Sequence, residues 1–176
     1  ANILEQHGEF NVTRLPEALT RDTKQPYVAK EIKVSLAQLE DALIQLFKPQ
    51  GRNIPDTALF YFSGHGIRRT SGLTEGFLAT SNVDQNERIY GLSLQWLRRL
   101  LQESPVRQQI IWLDCCHSGE LLNFNEADPG DVGQARDRSF IAASREFEQA
   151  YQDLNSQYSV LTKVLLEGLD PSRCTQ

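Results

Sequence analysis

The chain has 176 residues, of which 40% are hydrophobic and 23% charged, with a formal net charge of -5 and a pI near 5.2. That length and balance suit a single globular domain spanning residues 1–176 and argue against a disordered chain or a coiled coil. The acidic balance argues against a nucleic-acid surface, because the basic pairs Arg68-Arg69 and Arg98-Arg99 form no phosphate-binding stripe.

No run approaches the roughly 18 apolar residues of a membrane span, and the opening residues carry no basic stretch leading into an apolar one. No membrane partner is expected. Three cysteines, two of them adjacent, make a poor disulfide framework and point to a reducing, cytoplasmic setting.

Residues 1–7 read as the end of a helix stopped by Gly8, and residues 10–15 as a short strand. A chain that opens inside a helix is expected to be a fragment or a processed piece of a longer protein, although Ala1 equally suits the start of a short native helix. Residues 20–30 are polar with one proline and read as a loop. Ser35 with Gln38 forms a capping box, and Leu36, Leu39, Leu43 and Leu46 or Phe47 follow at helical spacing until Pro49.

Residues 56–62 and 109–113 are nearly continuous apolar runs, each of a length suited to a strand buried on both faces. Residues 139–143 form a third strand candidate. Leu94, Leu97 and Leu101, closed by Pro105, make a helix, and so do Val160, Leu161, Val164 and Leu165, closed by Gly168. Strands alternate with helices, so the class is α/β with a mostly parallel sheet. Residues 119–138 lack apolar periodicity and read as a long flexible loop, of the length that usually carries function.

Ligands of open α/β sheets bind beyond the carboxyl ends of the strands, which directs attention to Ser63-Gly64-His65-Gly66 and Asp114-Cys115-Cys116-His117-Ser118-Gly119. A thiol attacks a carbonyl as thiolate, and an imidazole both removes its proton and later returns one. His65 lies about 50 residues before Cys116, on another strand end, so a Cys-His pair is assembled by the fold. The glycines beside His65 permit a tight turn and close approach of a peptide. The N–H groups of Gly66 and Cys116 are then candidate donors to the oxyanion of a tetrahedral intermediate.

The two motifs, Phe62-Ser63-Gly64-His65-Gly66 and Asp114-Cys115-Cys116-His117-Ser118-Gly119, resemble the paired signatures of the caspase-like cysteine peptidases, nearest the metacaspases and the bacterial orthocaspases. Stretches at Phe77-Leu78-Ala79-Thr80, Phe140-Ile141-Ala142-Ala143-Ser144-Arg145 and Tyr158-Ser159-Val160-Leu161-Thr162 are similar to that group as well, so the likeness covers most of residues 56–169. The resemblance implies a caspase-hemoglobinase-like sandwich: a mostly parallel central sheet flanked by helices, here without the family's first strand and its C-terminal portion. It further implies an endopeptidase with Cys116 as nucleophile and His65 as proton-transfer partner.

By the same resemblance Asp114 and Ser63 line the pocket for the first substrate side chain. An acidic pocket pairs with a cation, so peptide and protein substrates with Arg or Lys before the cleaved bond are expected, Arg fitting a carboxylate bidentately. The animal caspase motif around the cysteine differs, which argues against cleavage after Asp. Arg136 and Arg138 are candidate self-processing points in the long loop, and further domains of a longer protein are candidate partners.

No cofactor is called for. Some relatives bind calcium at a carboxylate cluster, but this sequence has no EF-hand spacing. Asp114 has a second reading as a cap of the following helix or a holder of the turn, and Asp84 is a neighbour of the cleft or only a loop-shaping residue, whereas Cys115 reads as a core side chain, His117 as a structural ring at the turn and Cys174 as a tail residue without a role. Two rival functions remain beside the peptidase: a catalytically silent interaction module of the same fold, and a zinc-binding domain using Cys115, Cys116, His117 and His65. Adjacent cysteines suit one zinc ion poorly, so no metal ligand is assigned.

Overall fold

The computed structural model describes residues 1–29, 31–84, 86–116, 137–143 and 158–173. The chain divides into two compact units, Ala1–Val34 with Gln152–Gln176, and Ser35–Tyr151.

The first unit holds helix α1 (Asn2–His7), strands β1 (Glu17–Leu19) and β2 (Pro26–Val28), helix α4 (Val160–Gly168) and a 3-10 turn at Pro171–Arg173. Gly8 ends α1 as anticipated, its N–H bonding to Leu4 O. Residues 10–15 form no strand; instead Arg14 is buried and reaches α1 through a two-pronged guanidinium contact with Glu5 and a 2.9 Å bond to Asn2 Oδ1. The expected loop at 20–30 contains β2, paired antiparallel with β1. Pairing uses the backbone, so a proline at the first residue of β2 does not prevent it. Ser159 caps α4, accepting from Thr162 N.

The second unit begins with α2 (Leu36–Phe47), whose Ser35–Gln38 capping box is formed in both directions. Leu39, Leu43 and Phe47 are buried along one stripe of it. Helix α3 (Leu94–Glu103) buries Leu94, Leu97, Leu100 and Leu101, and its N-cap is Ser93. The C-terminal ends of α2 and α3 are tied together: buried Ser104 donates its hydroxyl to Phe47 O, and Lys48 pairs with Glu103 at 2.8 Å. Each fully buried leucine contributes on the order of 1.5–3 kcal/mol of transfer free energy, so these two stripes form the centre of the unit's core.

Strands β3 (Thr57–Ser63), β7 (Gln108–Asp114) and β8 (Asp137–Ala142) form a parallel sheet in the order β3-β7-β8. The α/β class is therefore as expected. One face carries the buried Ala58, Gln109, Ile111 and Leu113, while Leu59, Tyr61, Ile110 and Trp112 on the other are half-buried or exposed. The expectation of strands buried on both faces thus fails, since a run of apolar residues reports hydrophobicity and not which face is covered. A second, antiparallel sheet, unforeseen in the sequence, joins β4 (Gly66–Arg69), β5 (Glu75–Leu78) and β6 (Leu92–Ser93). No helix of the described residues is long and apolar enough to cross a membrane.

Candidate active site

Parallel pairing of β3 with β7 fixes which strand ends are neighbours. The register runs from Thr57 opposite Gln108 to Ser63 opposite Asp114, so both strands end at the same edge. The pairing continues one residue further, Gly64 N–H donating to Asp114 O at 3.2 Å. Both chemistry-bearing segments therefore leave the sheet side by side. Asp114 is buried, with 4% of its surface exposed, whereas Ser63 and His65 are exposed and Cys116 is half-buried. Cys115 is buried at 1% exposure, consistent with a side chain given to the core.

The segment after β3 turns back at once into β4. Ala79 N–H donates to His65 O at 2.8 Å, which makes His65 and Ala79 a hydrogen-bonded pair at the end of the β4-β5 ladder. Antiparallel ladders alternate bonded and non-bonded pairs, so Gly66, opposite Leu78, falls at a non-bonded position. Its N–H points away from β5, out of the edge of the small sheet. The α-hydrogen side of Gly66 lies against the peptide of Cys116: a Cβ there would overlap the Cys116 carbonyl, standing 2.8 Å from its carbon and 3.4 Å from its nitrogen. Only glycine permits that approach of two backbones. The motifs of His65 and Cys116 are thereby joined main chain to main chain.

Ser63, His65, Gly66, Asp114 and Cys116 are brought to one edge of the second unit. Arg138 is not in a loop, as the sequence had suggested, but in β8, opposite Gln109. Its Nε donates to Gln109 Oε1 at 3.1 Å and a terminal nitrogen to Leu101 O at 3.2 Å. An arginine held in a paired strand is not presented as an extended, accessible substrate, so its candidacy for self-processing is withdrawn. Arg136, His117, Cys174 and most of the predicted loop 119–138 lie outside the described residues. Asp84 shapes a turn: its carboxylate accepts from Asn86 N and Glu87 N, and its backbone exchanges two bonds with Ile89. Among the described residues no group of three or more His, Cys, Asp or Glu side chains is arranged to hold a metal ion.

Sequence reasoning passed over Glu75, which joins Arg69 of β4 to Ser93 at the start of α3. Its only sequence signal was its place between Gly72 and the apolar pair Phe77-Leu78. Also unforeseen was the stacking of Arg69 on Phe77 and Tyr90, with 5.4 and 5.7 Å to the ring centroids.

A search of curated proteins and a search of solved structures each gave no match. A family model described as the caspase domain matches residues 2–175. With nearly every residue inside that match, and with the two motif-bearing strand ends side by side, the chain belongs to the caspase domain family of cysteine peptidases.

Proposed function

We propose that the chain is an endopeptidase of the metacaspase and orthocaspase type that cleaves after Arg or Lys, with His65 and Cys116 as the reacting pair. The observation that carries this reading is the main-chain abutment of Gly66 on Cys116, since it joins the two motifs with no side chain between them. His65 takes the thiol proton of Cys116, and the thiolate adds to the carbonyl carbon of the scissile bond. The oxyanion is met by the N–H groups of Gly66 and Cys116. Collapse expels the amine, which receives the proton from His65, and leaves a thioester on Cys116. Water then adds to the thioester, giving up a proton to His65, and the acid is released as the thiol re-forms.

Asp114, with Ser63 beside it, recognises the basic side chain. A buried carboxylate beside the nucleophile favours a cation that replaces its lost hydration, and a guanidinium does so with two parallel bonds. Arg136 remains the candidate for self-processing. The test is turnover of short peptides bearing Arg, Lys or Asp before the scissile bond. The expected result is hydrolysis of the Arg and Lys peptides alone, lost in Cys116→Ala and His65→Ala. Asp114→Ala is expected to weaken the preference for basic residues by about tenfold or more, as loss of a charge-assisted bond implies. Full activity in Cys116→Ala would end the mechanism, and an unchanged preference in Asp114→Ala would end the pocket assignment.

A further inference from the structure

The geometry points to Glu75 as a positioning residue that holds the His65–Gly66 turn against Cys116, an inference that rests on the reading of His65 and Cys116 as the reacting pair. Glu75 faces Arg69 across the β4-β5 ladder and accepts from its guanidinium at 2.6 Å. The other carboxylate oxygen accepts the hydroxyl of Ser93. That same hydroxyl oxygen accepts Trp96 N–H at 3.2 Å as the N-cap of α3. In an ordinary N-cap the hydroxyl proton is left to solvent; here it is directed to a carboxylate. A negative charge at this end of α3 is also favoured by the helix dipole.

The chain of contacts therefore runs from the helix with four buried leucines, through Ser93 and Glu75, to Arg69 at the far end of β4. Arg69 is braced from the side by the Phe77 and Tyr90 rings, themselves 5.2 Å apart. Among the described residues β4 is a four-residue edge strand whose one partner is β5. Short edge strands open locally at little cost, and opening this one releases Gly66 from Cys116. The Glu75 clamp opposes that opening at the end of β4 remote from the reacting groups.

The test compares kcat and KM for an Arg peptide in the parent chain, Glu75→Gln, Ser93→Ala, Ser93→Thr and the Glu75→Gln/Ser93→Ala double variant. Amide hydrogen exchange at residues 66–69 is followed for the same changes in a Cys116→Ala background. Expected is a fall in kcat of about tenfold in Glu75→Gln and in Ser93→Ala, with KM within about twofold, as for a small misplacement of reacting groups. The double variant is expected to be no worse than either single, because both break one chain of contacts. Ser93→Thr keeps the hydroxyl and the parent rate. Exchange accelerates in β4 and not in β7. Parent-like kcat and exchange in Glu75→Gln overturn the inference, as does equal acceleration throughout the unit. Should Glu75→Gln fail to fold, the Ser93→Ala and Ser93→Thr pair decides in its place. Absence of Cys116-dependent turnover in the parent chain sinks the reacting pair instead, and the two failures are separable because the exchange difference does not depend on catalysis.

Discussion

A methyl group at position 66 has nowhere to go, because the carbonyl of Cys116 already occupies that space. The collision is between two backbones, so it is relieved only by moving one motif away from the other. Gly66→Ala is therefore expected to lower kcat/KM by about 100-fold or more through displacement of reacting groups. Its cost in stability is that of ordinary overpacking, about 1–3 kcal/mol. Steady-state kinetics set beside a thermal melt checks this, and parent-like kinetics would contradict the abutment. At this scale the sequence was most informative about placement, since the segments carrying His65 and Cys116 do follow the ends of neighbouring strands. It was silent on Glu75, whose importance comes from two partners, Arg69 and Ser93, that no local pattern links to it.

Among the elements, the β7-β8 pair shows how a buried polar side chain is satisfied inside a parallel sheet by a half-buried one. Gln109, fully buried, donates to Leu101 O and Val106 O, each at 3.1 Å, and its remaining oxygen accepts from Arg138. Arg138→Ala removes the donor to that buried oxygen, so a loss of about 1–3 kcal/mol is expected, measured by denaturant unfolding. Arg138→Lys presents a different donor geometry and is expected to recover only part of it. A variant as stable as the parent would show that water replaces the guanidinium. The helices were legible because caps and leucine spacing are local signals: Ser35–Gln38 and Leu39, Leu43 and Phe47 behave as the pattern requires. The β4-β5-β6 sheet was not, since its strands are of two to four residues, too short for a period to register.

Across the whole molecule, the parallel order β3-β7-β8 and the family match agree with the α/β reading of alternating strands and helices. The first unit carries an acid-sensitive contact among its described residues. Arg14, whose side chain is 4% exposed, holds the Glu5 carboxyl below the usual carboxylate range by its charge-assisted bonds. A carboxylate whose folded value is depressed stabilises the fold above its unfolded value, roughly pH 4.3 for Glu, and that contribution is lost as pH falls through the folded value. Glu5→Gln is accordingly expected to flatten the acid limb of a stability-against-pH curve while leaving the alkaline side unchanged, as followed by chemical denaturation between neutral and acid pH. An unaltered acid limb would show that Arg14 finds other partners. At the opposite end of the chain's chemistry, the seven-rung alignment of β3 with β7 sets a rule for tolerated length. Side chains alternate across a strand with a period of two, so removing or adding one residue within Gln108–Asp114 would turn the acidic group and the thiol over together to the reverse side. Insertions are therefore expected to be tolerated outside these two strands and not within their seven aligned rungs.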